Sequence, residues 1–375
     1  MSSALSSTDL AAATPRAAVP ASKRRFDPFR PGTALLRRTP PHFAHRAAIW
    51  ALKYGFVPRD RTPDAPVLAT RVWGMDFTNP LGMSAGFDKD AEALDGLIGV
   101  GFGFAEAGTV TPVAQTGNPR PNLFRLADDF GLINRLGFPS CGLDAFEHNL
   151  DRRQNTDAII GVNVGINTGT DDAIADISAG IARLAAKVSY LVINVSCPNT
   201  PGLCVWQERE HLRPLLERAV AVRDGTGAAT PLLVKISSDL DADGLAVVAE
   251  TALETRIDGL IAANTSIARA STLRSADRHE AGGISGRPLF EASNRALAQL
   301  YRLTEGKLPL VGCGGVSSAA DAYAKIRAGA SLVQLYTALV YHGPGLVREI
   351  KDGLAALLTA DGYRSVAEAV GADHR

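Results

Sequence analysis

The stretch Tyr190–Leu203 reads YLVINVSCPNTPGL, and its two halves have opposite character. Tyr190 to Val195 is apolar and β-branched, the composition of a short buried strand. Asn194, Ser196, Cys197, Asn199 and Thr200 then supply a cluster of polar groups, while Pro198, Pro201 and Gly202 exclude a helix and shape a loop. A thiol and two amides therefore stand at the mouth of a buried strand. In a parallel α/β protein that end of the strand faces the ligand.

The same strand-then-polar-loop unit recurs along the chain. Apolar runs predict strands at Pro80–Ser84, Phe102–Gly108, Ala158–Val164, Leu191–Val195, Leu232–Ile236, Gly259–Ala262, Leu308–Gly312 and Leu332–Leu335. Helical stretches such as Asp171–Ala186, His211–Arg223, Ala242–Leu253 and Ala319–Ala328 lie between them. Eight alternations predict a (β/α)8 TIM barrel, with an open doubly wound sheet as the alternative. After the successive strands come Gly86, Asp88 and Lys89; Gly108, Thr109 and Thr111; Asn163 and Asn167; Asn194, Cys197 and Asn199; Lys235; Asn264 and Thr265; Gly314 and Gly315; and Tyr336 and Thr337. A barrel gathers these ends on one face, so they predict one shared pocket.

Each group has a chemistry. Gly312 to Ser318 (GCGGVSS) opens a helix, and small residues there let backbone N–H groups approach a phosphate. Gly283–Gly286 (GISG) reads as a second glycine-rich loop able to close over the same group. Lys89 and Lys235 can pair with a carboxylate or with negative charge on a cofactor ring. Asn134, Asn163, Asn194, Asn199 and Asn264 offer donors and acceptors suited to a planar ligand with amide or urea edges. Cys197 is the acid–base side chain of the central loop, since a thiol of ordinary pKa about 8.5 needs only a modest downward shift to act near neutrality. No metal-ligand spacing is present, so no metal is expected.

Composition bounds the rest. The 375 residues are 46% hydrophobic with a formal net charge of zero, which supports a large core and argues against nucleic-acid binding. The four cysteines form no CxxC pair. No apolar run is long enough for a transmembrane helix. Residues 1–61 hold eleven Lys and Arg against three Asp, and residues 1–24 are rich in Ala and Ser. That start reads either as an organellar transit peptide or as a disordered tail. One short helix is expected within residues 26–40. Residues 42–56 (HFAHRAAIWALKYGF) predict an amphipathic helix with Phe43, Ala47, Trp50 and Ala51 on a stripe widened by Ile49, Leu52 and Phe56. It reads either as a helix packed on the main domain or as an interfacial one whose Arg46 and Lys53 face anionic lipid. Residues 59–66 (RDRTPDAP) read as a linker. The expected organisation is a tail over 1–25, a helical segment over 26–60 and a barrel over 61–375.

At these residues the sequence resembles the dihydroorotate dehydrogenase family, and more narrowly its membrane-associated, quinone-dependent class. The segments AHR (44–46), NPLGMSAGFDKD (79–90), GFGFAEAGTVTP (101–112), GNPRPNLFRL (117–126), INRLGF (133–138), GVNVG (161–165), NVSCPNTPGL (194–203), LVKIS (233–237), GGISGRPL (282–289), GGVSS (314–318) and IRAGASLVQLYTAL (326–339) carry the likeness. The resemblance implies an FMN-containing barrel that oxidises dihydroorotate to orotate in pyrimidine synthesis. Cys197 would take the C5 proton, and the electrons would pass through the flavin to a quinone. It implies FMN contacts at Ser84, Ala85, Gly86, Phe87, Asp88, Thr109, Asn163, Asn194, Lys235, Ala263, Gly286, Gly315, Tyr336 and Thr337. Orotate contacts are implied at Lys89, Asn134, Arg135, Leu136, Gly137, Phe138, Asn194, Asn199, Asn264 and Thr265, and a quinone site at His45, Arg125 and Tyr336. Cys197, Cys204 and Ile166 stand where the quinone-dependent class usually has Ser, Arg and Lys. Peripheral attachment to the cytoplasmic face of a bacterial inner membrane is implied, with the mitochondrial inner membrane as the alternative. Competing readings are a soluble acceptor such as fumarate or NAD, a flavin reductase of other pyrimidine-like rings, and a flavin-binding scaffold without turnover.

Overall fold

Strands buried on both faces read as unbroken apolar runs, and the computed structural model folds those runs into a closed barrel. It describes residues 29–196 and 204–375. Two helices come first, α1 (Arg30–Arg37) and α2 (Pro41–Lys53), then an antiparallel hairpin of β1 (Thr70–Val72) and β2 (Met75–Phe77). The chain continues through β3 (Leu81–Met83), α3 (Leu94–Val100), β4 (Phe104–Val110), β5 (Leu123–Leu126), β6 (Gly131–Asn134), α4 (Leu143–Asp151), β7 (Ile159–Val164), α5 (Ala173–Leu184) and β8 (Tyr190–Asn194). After these come α6 (Arg209–Gly225), β9 (Leu232–Ile236), α7 (Ala242–Thr255), β10 (Gly259–Ala262), β11 (Gly283–Gly286), α8 (Phe290–Leu303), β12 (Leu310–Cys313), α9 (Ala319–Arg327) and β13 (Ala330–Leu335). The last helices are α10 (Thr337–His342), α11 (Gly345–Ala360) and α12 (Val366–Ala369). Strands β3, β4, β7, β8, β9, β10, β12 and β13 pair in that order, all parallel, and β13 closes on β3. The expected TIM barrel with an N-terminal helical extension is what forms.

The two-residue period of a strand sorts the barrel residues into two cores. Outward residues such as Leu81, Ile160, Leu191, Val234 and Leu310 pack under the surrounding helices. Inward residues Phe104, Tyr190, Val192, Leu233, Ile261, Val311 and Leu332 fill the interior, and Val72 and Phe77 of the β1–β2 hairpin plug its floor. The large inward rings need glycine opposite them. A Cβ on Gly82 would lie 2.2 Å from the Phe104 ring, and one on Gly161 would lie 2.0 Å from that of Tyr190. Removing a ring such as Phe104 would cost about 3–5 kcal/mol. The same inward register carries Ser84, Glu106, Asn163, Asn194, Lys235, Cys313 and Gln334, which are all buried. The polar upper floor of the barrel is thus a consequence of strand register.

Three expectations are corrected. Gly283–Gly286 is not a loop: it is β11, paired with β6 in a three-stranded antiparallel sheet with β5. Residues 59–66 are not a free linker. Asp60 and Asp64 bind the buried Lys351 ammonium at 3.0 and 2.8 Å, which ties this segment to α11. The apolar residues of α2 do not form one stripe. Ile49 and Leu52 are buried, whereas Phe43, Trp50 and, just beyond the helix, Phe56 are exposed. Arg46 and Lys53 also bind Glu92, at 2.6 and 3.0 Å, so both cations are tied to the barrel.

Candidate active site

One cavity of about 790 Å³ opens over the C-terminal ends of the strands and runs from the glycine loop before α9 to His42, His45 and Arg46 on α2. Its floor is a chain of amides fixed from below. The Glu106 carboxylate accepts from Asn163 Nδ2 at 2.9 Å, which turns the Asn163 oxygen upward. That oxygen accepts from the Thr109 hydroxyl at 2.5 Å and from Asn194 Nδ2 at 3.1 Å. The Asn194 oxygen in turn accepts from the Ser196 N–H at 3.2 Å. Asn264 Nδ2 reaches the Ser196 hydroxyl at 3.0 Å. Each amide therefore has one orientation, as a surface that reads donors and acceptors requires.

Lys235 is 4% exposed, and its ammonium donates to Ser84 Oγ at 3.1 Å. Cys313 Sγ lies 3.5 Å from the same oxygen. Lys89 hangs from the β3 loop with its ammonium on the Gly86 carbonyl, and desolvation lowers its pKa to about 8 against the pull of Asp90 and Asp88. Asp88 is buried and raised to about 6 by desolvation, although it accepts from the backbone N–H groups of Glu92 and Ala93. It holds the loop that presents Lys89.

At the far end, His45 meets Phe87 edge-on with ring centroids 5.4 Å apart, and Phe87 meets Tyr336 at the same separation. This aromatic path links α2 to the strand tips. Burial pushes the His45 imidazole down to about 3, helped by Lys89 and Arg46, so it is neutral at physiological pH.

The cavity brings together most of the residues singled out in the sequence. Ser84, Ala85, Gly86, Phe87, Asp88, Lys89, Thr109, Asn134, Leu136, Gly137, Phe138, Asn194, Lys235, Ala263, Asn264, Thr265, Gly286, Gly315, Tyr336, Thr337 and His45 line it. Asn163 lies one layer below. Arg135 turns away to Glu280 at 2.8 Å and stacks on Phe124. The Arg125 guanidinium is engaged by the α1 end, donating to the carbonyls of Thr39 at 2.6 Å and Arg37 at 3.2 Å. Cys197 and Asn199 lie outside the described residues, as do residues 1–28. Glu106 and Gln334 escaped the sequence reading, although Glu106 is an acid inside the apolar run FGFAEAGTV.

The residues fit a flavin nucleotide. Gly315 has φ +76°, and a Cβ there would lie 2.5 Å from the Phe290 backbone, so the loop admits only a bare backbone. Among the described residues the N–H groups of Gly315 and Val316 have no protein acceptor, and both residues line the cavity. They precede α9, whose N-terminus favours an anion. Lys235 and the amide floor stand at the other end, suited to a planar ring with carbonyl and imide edges.

Comparison with known proteins agrees with this geometry. Residues 67–358 match the family model described as dihydroorotate dehydrogenase. A dihydroorotate dehydrogenase (quinone) of Azorhizobium caulinodans is 55% identical over 89% of this chain and 96% of that relative. A mitochondrial dihydroorotate dehydrogenase (quinone) of Mus musculus is 47% identical over 91% of this chain and 89% of its own. Among solved structures, dihydroorotate dehydrogenase of Eimeria tenella in complex with ferulenol superposes with a TM-score of 0.87 at 40% identity, covering 92% of this chain and 99% of that one.

Proposed function

The chain belongs to the dihydroorotate dehydrogenase family, and we propose on that premise that it oxidises dihydroorotate to orotate with a quinone as electron acceptor. The observation that carries the reading is the continuity of one cavity, from the amide floor and Lys89 to His45 on α2. A carboxylate-bearing ring seated on the floor meets Lys89 through its carboxylate and Asn134, Asn194 and Asn264 through its amide edges. Cys197, which follows β8 in the sequence, is the base for the C5 proton. FMN, when bound, supplies the two-electron acceptor between the two substrates. Ser84, Thr109 and Lys235 would hold its ring, with Asn163 fixing Thr109 and Asn194 from below, and Gly286, Gly315, Tyr336 and Thr337 would enclose its phosphate end.

The N-terminal helices supply the quinone entry. Leu35, Phe43, Trp50, Tyr54 and Phe56 are exposed there, while no described helix is long and apolar enough to cross a membrane. Residues 26–60 are therefore the membrane- and quinone-associated segment, lying on the lipid surface with His45 facing the cavity. The residues from 61 onward form the flavin-binding barrel. The setting this reading favours is the cytoplasmic face of a bacterial inner membrane, with the mitochondrial inner membrane as the alternative. Acceptor choice tests the reading: dihydroorotate should drive reduction of a short-chain quinone, and turnover restricted to fumarate or NAD would refute it.

A further inference from the structure

Among the described residues three lysines are buried, and they differ in what balances their charge. Lys351 has two aspartates. Lys235 faces the cavity directly. Lys325 on α9 is 0% exposed, and no described carboxylate forms an ion pair with it. Its ammonium donates to Ser293 Oγ at 2.9 Å and lies 5.4 Å from the centre of the Phe290 ring. The charged and titratable groups that face it are Asp321 on its own helix, Glu291 on α8 and the Cys313 thiol on β12. Asp321 is already engaged by Arg287 at 2.7 Å and by the N–H and hydroxyl of Ser317. Burial lowers the Lys325 pKa to about 8. A buried cation without a carboxylate is costly unless something else balances it.

The position of this lysine indicates the balancing group. Its stem runs against β12, where a Cβ on Gly312 would lie 3.0 Å from Lys325 Cδ. The hydroxyl of Ser293, which accepts from the ammonium, has one proton and two carbonyl oxygens in reach, that of Phe290 at 2.9 Å and that of Gly314 at 3.1 Å. The Gly314 carbonyl belongs to the same peptide plane as the Gly315 N–H. In a trans peptide the two point in opposite directions. The oxygen faces Ser293 and Lys325, so the N–H faces the cavity, where it has no described protein acceptor.

We propose that Lys325 is a positioning residue for the cofactor phosphate. Its ammonium stands behind the Gly314–Gly315 loop, polarises that peptide when Ser293 turns its proton from the Phe290 to the Gly314 carbonyl, and supplies the positive charge that a phosphate on the cavity side requires. This rests on the flavin mononucleotide reading above. The low-dielectric wall between the two charges leaves little screening, and a chain of hydrogen bonds strengthens its terminal donor.

Competition between flavins tests the proposal on the full-length holoprotein, with or without turnover. Bound FMN is challenged with increasing riboflavin, which has the same ring but no phosphate, and the retained flavin is identified. Lys325→Met should shift the FMN-to-riboflavin preference toward riboflavin by roughly tenfold or more. The shift should shrink at pH 5.5, where the phosphate, with a second pKa of about 6, loses charge. Ser293→Ala should shift the preference in the same direction by a smaller factor, and it stands in if the lysine variant fails to fold. A general loosening of the fold would weaken both flavins alike. An unchanged preference in both variants, or a shift that does not depend on phosphate charge, overturns the proposal. Equal retention of the two flavins by the wild-type protein also overturns it, by removing the phosphate site on which it rests.

Discussion

Replacing Glu106 tests whether the amide floor is held from below. Its carboxylate, 0% exposed, accepts from Asn163 Nδ2 at 2.9 Å, Gln334 Nε2 at 2.6 Å and the Tyr190 hydroxyl at 3.3 Å. Glu106→Leu would leave three buried donors without an acceptor. Each orphan costs about 1–3 kcal/mol. Relaxation of the neighbours, and the loss of a buried carboxylate, bring the net to about 3–5 kcal/mol. That is a large part of the 5–15 kcal/mol typical of a folded domain. Glu106→Gln should behave differently. Its oxygen can still accept from Asn163, and its new NH2 group then faces Gln334. The buried Gln334 Oε1 has no partner among the described residues, so that amide can turn and accept the new donor. The Tyr190 hydroxyl oxygen can accept as well. The cost should be about 1 kcal/mol. Urea unfolding of both variants reads stability, and flavin retention on dilution reads the floor. Stability of Glu106→Leu within about 1 kcal/mol of wild type, or equal damage from both substitutions, would refute the reasoning.

Three further outcomes follow from the site. Lys89, with its pKa lowered to about 8, holds a carboxylate only while protonated, so orotate affinity should fall as pH rises above about 8. Lys89→Met should weaken orotate binding about 10–100-fold and flatten that dependence, both measurable by flavin spectral titration. Thiol and hydroxyl differ greatly in acidity, so the rate plateau of Cys197→Ser should be reached at higher pH than that of wild type; identical pH–rate profiles would remove Cys197 as the base. Gly315→Ala places a Cβ 2.5 Å from Phe290 at φ +76°, so it should release flavin while the barrel keeps its helical circular dichroism.

The barrel was legible because strands buried on both faces leave unbroken apolar runs, and Leu232–Ile236 and Gly259–Ala262 form as read. The polar residues after those runs were legible for the same reason, since strand ends share one face. The antiparallel sheet was not. β11 is GISG, two of its four residues glycine, and it becomes a strand only by pairing with β6, some 150 positions earlier. The α2 stripe divided because one helix meets the barrel with Ile49 and Leu52 and leaves Phe43 and Trp50 exposed, two faces that periodicity merges. The partners of Arg46, Lys53 and Arg125 were set by residues 39 to 89 positions away. Glu106 and Lys325 gain their roles from contacts 57 and 32 positions away, Asn163 and Ser293, which no local pattern announces.

The central claim is that Lys89, the amide floor and a flavin converge on one dihydroorotate. Anaerobic addition of dihydroorotate to the purified yellow protein, with flavin absorbance recorded, tests it most directly. The absorbance should bleach within one turnover and return when a quinone is added. A flavin that stays oxidised in the presence of dihydroorotate would contradict it.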